Sequence, residues 1–235
     1  MSSADKASRL PDEARRASER RDVHIPPIGL AGILQKPKNA YAFVVFAHGS
    51  GSSRLSPRNT FVAHALNDRG VATLLFDLLT SAEEADRANV FDIPLLADRL
   101  RDAVRWIDGE GSVANLPLGL FGASTGAAAA LVAAAKLPGR VGAVVSRGGR
   151  PDLAGNALDV VQAPTLLIVG GVDFGVIELN EQALARLRGV KALEIVPRAS
   201  HLFPGPGALE AVIDHAARWF EQHLKSVVTK RMRKA

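Results

Sequence analysis

The chain has 235 residues, of which 47% are hydrophobic and 23% charged, and its formal net charge is +5. These values are typical of a soluble globular protein, and one domain is the simplest interpretation at this length. The absence of cysteine excludes disulfide bonds and thiolate chemistry and is typical of a cytoplasmic protein.

Both ends of the chain are polar. Residues 1–21 lack the apolar core of a signal peptide and are predicted to form a flexible leader before a domain at 22–224. Residues 225–235 carry five basic side chains and no acidic one, which predicts a flexible basic tail. Such a tail can bind nucleic acid, but without interleaved aromatic residues we expect no nucleic-acid partner. The longest apolar run, 127–135, is too short to span a membrane.

Predicted strands and helices alternate along the chain. Strands are predicted at 22–26, 29–35, 42–47, 71–76, 118–121, 141–145, 165–169 and 193–196. Helices are predicted at 57–69, 94–108, 125–136, 174–188 and 208–224. The first two strands suggest a hairpin, and the later alternation predicts an α/β fold with right-handed crossovers and a mostly parallel eight-stranded sheet flanked by helices. Ligands of such sheets bind at the carboxyl ends of the strands.

A glycine-rich turn follows the third predicted strand, in the sequence His48-Gly49-Ser50-Gly51. No Lys-Ser or Lys-Thr follows the glycines, so this turn is not a P-loop. Its backbone N–H groups are suited to hold the negative charge that develops during acyl transfer, and we predict Ser50 or Gly51 as one donor. For His48 we favour a role in shaping the turn over metal binding, because no second ligand lies at metal spacing.

The sequence Gly122-Ala123-Ser124-Thr125-Gly126 lies between a short apolar segment and an alanine-rich run. Strand, G-x-S-x-G and helix together form a nucleophile elbow, in which a sharp turn presents the serine hydroxyl to the site. We therefore predict Ser124 as a nucleophile. The N–H of Thr125 would be the second donor to the oxyanion.

A serine nucleophile needs a base and a group that orients the base. Asp173 and His201 each follow a later predicted strand, in the chain order expected of elbow-type hydrolases. Asp152 and Glu178 are alternative acids. The other candidate bases, His215 and His223, fall within a predicted amphipathic helix, which makes them weaker candidates.

These motifs together resemble the dienelactone-hydrolase-like group of the α/β-hydrolase superfamily, over residues 23–224. The segments 53–59 and 146–152 are also similar to a bacterial subgroup that is sometimes joined to phosphoribosyltransferase domains. The resemblance implies an α/β-hydrolase fold and a Ser-His-Asp triad. Dienelactone hydrolases proper use a cysteine nucleophile, whereas this chain has Ser124, so the resemblance does not imply dienelactone as the substrate.

The segment between the sixth and seventh predicted strands is too short to hold a cap domain, which predicts an open site. Residues 77–93 are candidates for a partial wall. Several arginines occupy loops predicted at the carboxyl-end face: Arg54, Arg58, Arg147 and Arg150. Each can bind a carboxylate or phosphate of a substrate, or pair with Asp77, Asp92 or Asp152 and brace the loops.

The predicted function is hydrolysis of a small carboxylic ester through an acyl-serine, with no metal and no organic cofactor. An acyltransferase or perhydrolase would use the same residues, and a non-catalytic binding protein could keep the fold without the chemistry. No membrane partner is expected. The sequence does not indicate an oligomeric state.

Overall fold

A computed structural model describes residues 18–232, with side chains described as far as Lys225. Its centre is one eight-stranded sheet in the order β1-β2-β4-β3-β5-β6-β7-β8. The strands are β1 Ser18–Ile25, β2 Leu30–Pro37, β3 Ala42–Ala47, β4 Val71–Phe76, β5 Leu118–Ala123, β6 Val141–Arg147, β7 Thr165–Gly170 and β8 Lys191–Val196. The β1–β2 hairpin is antiparallel and the pairs from β4 to β8 are parallel, as the sequence predicts. The β2–β4 pair is also antiparallel.

Helices cover both faces of the sheet. They are α1 Pro57–Asp68, α2 Ser81–Glu84, α3 Arg87–Val90, α4 Ile93–Gly109, α5 Thr125–Lys136, α6 Phe174–Arg186 and α7 Ala208–Met232, with a 3₁₀ helix at Pro151–Asp159. Helices α4, α5 and α6 contribute to the core on one face, and α1 and α7 to the core on the other. None of the helices within residues 18–232 is long and apolar enough to cross a membrane.

The buried stripe of α4 illustrates how the sequence determines this packing. Leu96, Leu100 and Val104 follow one another at four-residue spacing and are almost fully buried. Asp92 precedes the helix, and its carboxylate accepts a hydrogen bond from the N–H of Leu95 at 2.9 Å. This bond satisfies one of the N–H groups that a helix leaves unpaired at its start.

The fold departs from the sequence prediction mainly at the ends and in short elements. Strand β1 begins at Ser18, inside the segment predicted as a leader, and α7 continues past Leu224 into the predicted tail. The short helix α2 was not predicted, although its capping box, formed by Thr80 and Glu83, can be recognised in the sequence. The remaining parts of the predicted leader and tail, 1–17 and 233–235, lie outside the described residues.

Helix α5 approaches the sheet so closely that two positions admit only glycine. A Cβ on Gly126 would lie 2.3 Å from the carbonyl oxygen of Ala47 and 2.5 Å from that of His48. A Cβ on Gly122 would lie 2.4 Å from the Cα of Ala127. These neighbours are backbone atoms, which cannot rotate out of the way as a side chain can. The start of α5 is therefore held directly against the end of β3.

We expect Gly126→Ala to lower the free energy of unfolding by about 2–3 kcal/mol or more, because the added methyl group overlaps the β3 carbonyls. Urea denaturation measures the change. Gly175→Ala is the matched control, since a Cβ there meets nothing within 4 Å and the residue lies in α6. That variant should be unchanged or more stable by up to about 1 kcal/mol. Equal stability of the two variants would contradict the close packing.

Candidate active site

Ser124 lies between the last residue of β5 and the first residue of α5, with φ 51° and ψ −123°. Positive φ is uncommon for a residue with a side chain and marks backbone strain that the surrounding structure must hold. The N–H of Ser124 donates to the carbonyl of Arg147 at 3.3 Å, and the N–H of Arg150 donates to the Ser124 carbonyl at 3.0 Å. Two backbone hydrogen bonds, to Arg147 at the end of β6 and from Arg150, therefore hold Ser124 in the elbow geometry.

The turn after β3 lies directly against Ser124. A Cβ on Gly49 would be 2.8 Å from the Cβ of Ser124 and 3.6 Å from its hydroxyl oxygen. The next residue, Ser50, donates its N–H to the hydroxyl oxygen of Thr125 at 3.0 Å. Gly51 is exposed, with open space where its side chain would be. Of the two turn residues predicted as donors, Ser50 is the one that lies next to Thr125.

His201 and Asp173 are joined by a hydrogen bond. The distance from Nδ1 of His201 to Oδ2 of Asp173 is 2.8 Å, and the side chains are 37% and 18% exposed. The alternative acids lie elsewhere, since Asp152 binds Arg150 and Glu178 is exposed on α6. The alternative bases, His215 and His223, both lie on α7, as the sequence predicts.

Glycine again permits the close approach that brings these two loops together. A Cβ on Gly170, the last residue of β7, would be 2.4 Å from the carbonyl oxygen of Ala199 and 2.7 Å from that of Ser200. The N–H of Val172 donates to the Ala199 carbonyl at 3.0 Å. The loop that carries His201 therefore crosses directly over the end of β7, where Asp173 begins α6.

Ser124 and His201 both border the short segment that follows β6. The N–H of Ser124 donates to the carbonyl of Arg147. A Cβ added to Gly148, which follows Arg147 in the chain, would lie 3.6 Å from Nδ1 of His201. Within residues 18–232 no hydrogen bond joins the Ser124 hydroxyl to His201. Catalytic hydrogen bonds of this kind are often long in ligand-free structures and shorten in the substrate complex. The two side chains thus border the same segment without a hydrogen bond between them.

His48 connects the turn after β3 to the end of β4. Its Nε2 accepts the N–H of Leu78 at 3.1 Å, so Nδ1 carries the proton and donates to the carbonyl of Gly49 at 3.0 Å. Burial of the ring lowers the pKa of His48 below its ordinary value, partly opposed by the bond to Gly49. Within residues 18–232, no group of three or more histidine, cysteine or acidic side chains is placed to hold a metal ion.

One cavity borders Thr125 and a second borders His201. The smaller, about 190 Å³, is lined by residues 48–53 of the turn, by Thr125 and by apolar side chains that include Leu78, Val90 and Leu96. Several of its walls come from residues 77–93, the segment considered above as a partial wall. The larger is an open groove of about 740 Å³ beside His201, lined also by Arg58 and Phe61.

The four loop arginines fall into two groups. Arg54 forms an ion pair with Asp77, which also accepts the Arg54 N–H at 2.7 Å, and Arg150 makes two bonds to Asp152 at 2.9 and 2.8 Å. These two therefore brace loops. Arg58 and Arg147 have no carboxylate within 4.0 Å among the described residues.

Comparison with known proteins identifies the class. A dienelactone hydrolase from Anabaena variabilis is 53% identical, with a TM-score of 0.85, over 88% of this chain and 99% of its own. Est1E from Butyrivibrio proteoclasticus, 16% identical with a TM-score of 0.72, covers 87% of this chain and 98% of its own and shares the fold. The chain has the α/β-hydrolase fold. More narrowly, the chain belongs to the dienelactone hydrolase family.

Two longer relatives carry a different name. Proteins of Mycobacterium tuberculosis strains CDC 1551 and H37Rv, both named as proposed phosphoribosyl transferases, are each 59% identical over 198 residues. The match covers 84% of this chain but only 45% of theirs, so the chain spans less than half the length of these relatives. No family model matches the chain.

We expect the free energy of unfolding to fall as the pH drops below 6.5, the ordinary pKa of histidine. Below that pH the unfolded chain binds a proton at residue 48 that the buried ring does not take up, so protonation favours the unfolded state. In His48→Gln this part of the pH dependence should disappear. Urea denaturation between about pH 8 and pH 5 measures the difference.

The matched control is His24→Gln, which removes an exposed histidine and keeps the buried ring. It should follow the pH dependence of the wild type. If His48→Gln also followed the wild type, His48 would not be held neutral between the two chain segments.

Proposed function

We propose that the protein is a serine hydrolase of carboxylic esters, with Ser124 as nucleophile, His201 as general base and acid, and Asp173 as the group that orients the imidazole. The observation that carries the proposal is the 2.8 Å bond between His201 and Asp173 at the same end of the sheet as the strained Ser124. A nucleophile on an elbow, a histidine and a carboxylate from three separate strand ends are what acyl transfer requires.

The bond to Asp173 determines which nitrogen of His201 is basic. A carboxylate accepts hydrogen bonds, so Nδ1 carries the proton and Nε2 keeps its lone pair. In the first step Nε2 takes the hydroxyl proton of Ser124 while Oγ bonds to the acyl carbon. His201 then returns the proton to the departing alcohol oxygen, which leaves an acyl-serine. Water attacks in the same way, the acid is released, and the proton returns to Ser124.

The oxyanion formed in each step needs donors that are already in place. Thr125 is the first residue of α5, so its N–H has no acceptor within the helix. The second donor in our proposal is the N–H of Ser50, which in the free protein donates to the Thr125 hydroxyl. The substrate oxygen would take over this hydrogen bond, so the hydroxyl keeps the Ser50 N–H oriented until substrate arrives.

The comparisons support the hydrolase class in particular. The Anabaena variabilis relative is named a dienelactone hydrolase, and another structural neighbour is the esterase domain of a Rhodothermus marinus protein, at 20% identity. The name phosphoribosyl transferase belongs to proteins of more than twice the matched length. The match to those proteins covers 84% of this chain, whose eight-stranded sheet is that of an α/β-hydrolase fold.

We expect Ser124→Ala to lower kcat/KM for phenyl acetate by at least about 1,000-fold, since it removes the nucleophile. Asp173→Asn should lower it by about 1,000- to 10,000-fold, because an amide at this position no longer favours the Nδ1-protonated imidazole. Spectrophotometric hydrolysis assays measure both. The control is Ser112→Ala, an exposed serine that precedes the amino end of β5. Full activity of Ser124→Ala would place the nucleophile elsewhere.

A further inference from the structure

Arg147 is a buried cation whose donors the fold leaves largely unused. It is the last residue of β6, and it is only 6% exposed. One guanidinium nitrogen, Nη2, donates to Oδ1 of Asn59 at 3.2 Å. The Nε and Nη1 of Arg147 are buried without a hydrogen-bond partner, and the same is true of Nε of Arg58. Buried polar groups are normally paired, so these three nitrogens need an explanation.

The positive charges of Arg58 and Arg147 add to the free-energy cost of burying these unpaired nitrogens. Burial, and then the positive charge of Arg58, lower the pKa of Arg147 to about 10. At neutral pH Arg147 therefore remains positively charged, close to the guanidinium of Arg58 and with no acid paired to either side chain. A buried charge without a counter-ion opposes folding, and an apolar residue of similar size would be tolerated better. An anion that entered this region would relieve the repulsion.

Arg58 lines the open groove beside His201, together with Phe61 and Leu202. Glu210 also lines this groove, but it is exposed and lies more than 4.0 Å from both guanidinium groups. In the proposed reaction His201 protonates the departing alcohol oxygen, so the groove on the His201 side is where the alcohol part lies. The smaller cavity next to Thr125 is left for the acyl part.

We propose that the alcohol part of the substrate carries a dianionic phosphate group, which Arg58 binds in this groove while Arg147 supplies a second, buried positive charge next to it. Two guanidinium charges without an acid match a dianion better than the single charge of a carboxylate. This inference rests on the proposed function, because only ester hydrolysis makes the groove an alcohol site. It assigns Arg58 and Arg147, but not Arg54, to substrate binding.

The test compares three acetate esters that differ in the charge of the alcohol part: phenyl acetate, 4-acetoxybenzoate and 4-acetoxyphenyl phosphate. At about pH 8 the phosphate carries close to two negative charges. We expect Arg58→Met to lower kcat/KM for the phosphate ester by about 10- to 100-fold, because a charge-assisted contact is lost. The ratio of kcat/KM for the phosphate ester to that for phenyl acetate should fall by a similar factor, since phenyl acetate makes no such contact.

Arg69→Met is the matched control. Arg69 lies at the other end of α1 and pairs with Asp214, so this variant removes the same charge far from the groove. It should leave the ratio of the phosphate ester to phenyl acetate unchanged. The inference fails if Arg58→Met keeps the wild-type ratio, if Arg69→Met lowers it equally, or if 4-acetoxybenzoate loses as much as the phosphate ester. If the wild type hydrolyses none of the three esters, the proposed function fails instead.

The effect of Arg147→Met on stability gives a second readout, because a ligand-binding arginine and a structural arginine predict changes of opposite sign. A ligand-binding arginine that is buried without a counter-ion, and of whose donors the fold uses only the one bonded to Asn59, is destabilising, so its replacement should raise the midpoint of thermal unfolding and lower the phosphate-ester ratio. A structural arginine would give a lower midpoint. Inorganic phosphate should raise the midpoint of the wild type and of Arg69→Met but not of Arg58→Met. A lower midpoint for Arg147→Met, or equal phosphate effects in all proteins, would overturn the assignment.

Discussion

The close backbone contact between the start of α5 and the end of β3 is the constraint on which the site depends. Because Gly126 has no side chain, the helix begins against the carbonyls of Ala47 and His48. The same approach places Gly49 beside Ser124 and brings the N–H of Ser50 to Thr125. Strain at a residue such as Ser124 persists only where the surroundings hold it, and here Arg147 at the end of β6 and Arg150 just after it do so through two backbone hydrogen bonds.

The other half of the site, His201 and Asp173, depends on a second close backbone contact, at the end of β7. The bare backbone of Gly170 lets the loop after β8 cross the end of β7, so that His201 meets Asp173. The proposed catalytic groups thus come from separate loops at the carboxyl ends of parallel strands, the usual position of ligand sites in such sheets. Ser124 and the His201–Asp173 pair are therefore positioned by close backbone contacts, and not by a hydrogen bond between the side chains of Ser124 and His201.

The sequence predicts the elements best where the apolar pattern is strongest. Strands β3 and β4 have the predicted bounds because their six residues are uniformly buried, whereas β1 has a mixed pattern and begins earlier than predicted. The G-x-S-x-G motif predicts the elbow because a strand-to-helix turn this tight leaves no room for a Cβ at its two glycines. The sequence names Asp77 and Asp152 as possible partners of the loop arginines, but which arginine pairs and which lacks an acid could not be predicted. It depends on distances between loops that only the folded chain defines.

The central claim is that Ser124, Thr125, Ser50 and His201 act on one acyl group. The most direct measurement is a crystal structure of the protein after reaction with diisopropyl fluorophosphate. We expect phosphorus bonded to Oγ of Ser124, with its oxygen about 2.7–3.1 Å from the N–H nitrogens of Thr125 and Ser50, and the Thr125 hydroxyl no longer bonded to Ser50. Phosphorus on another residue, or an oxygen that contacts neither amide, would contradict the account.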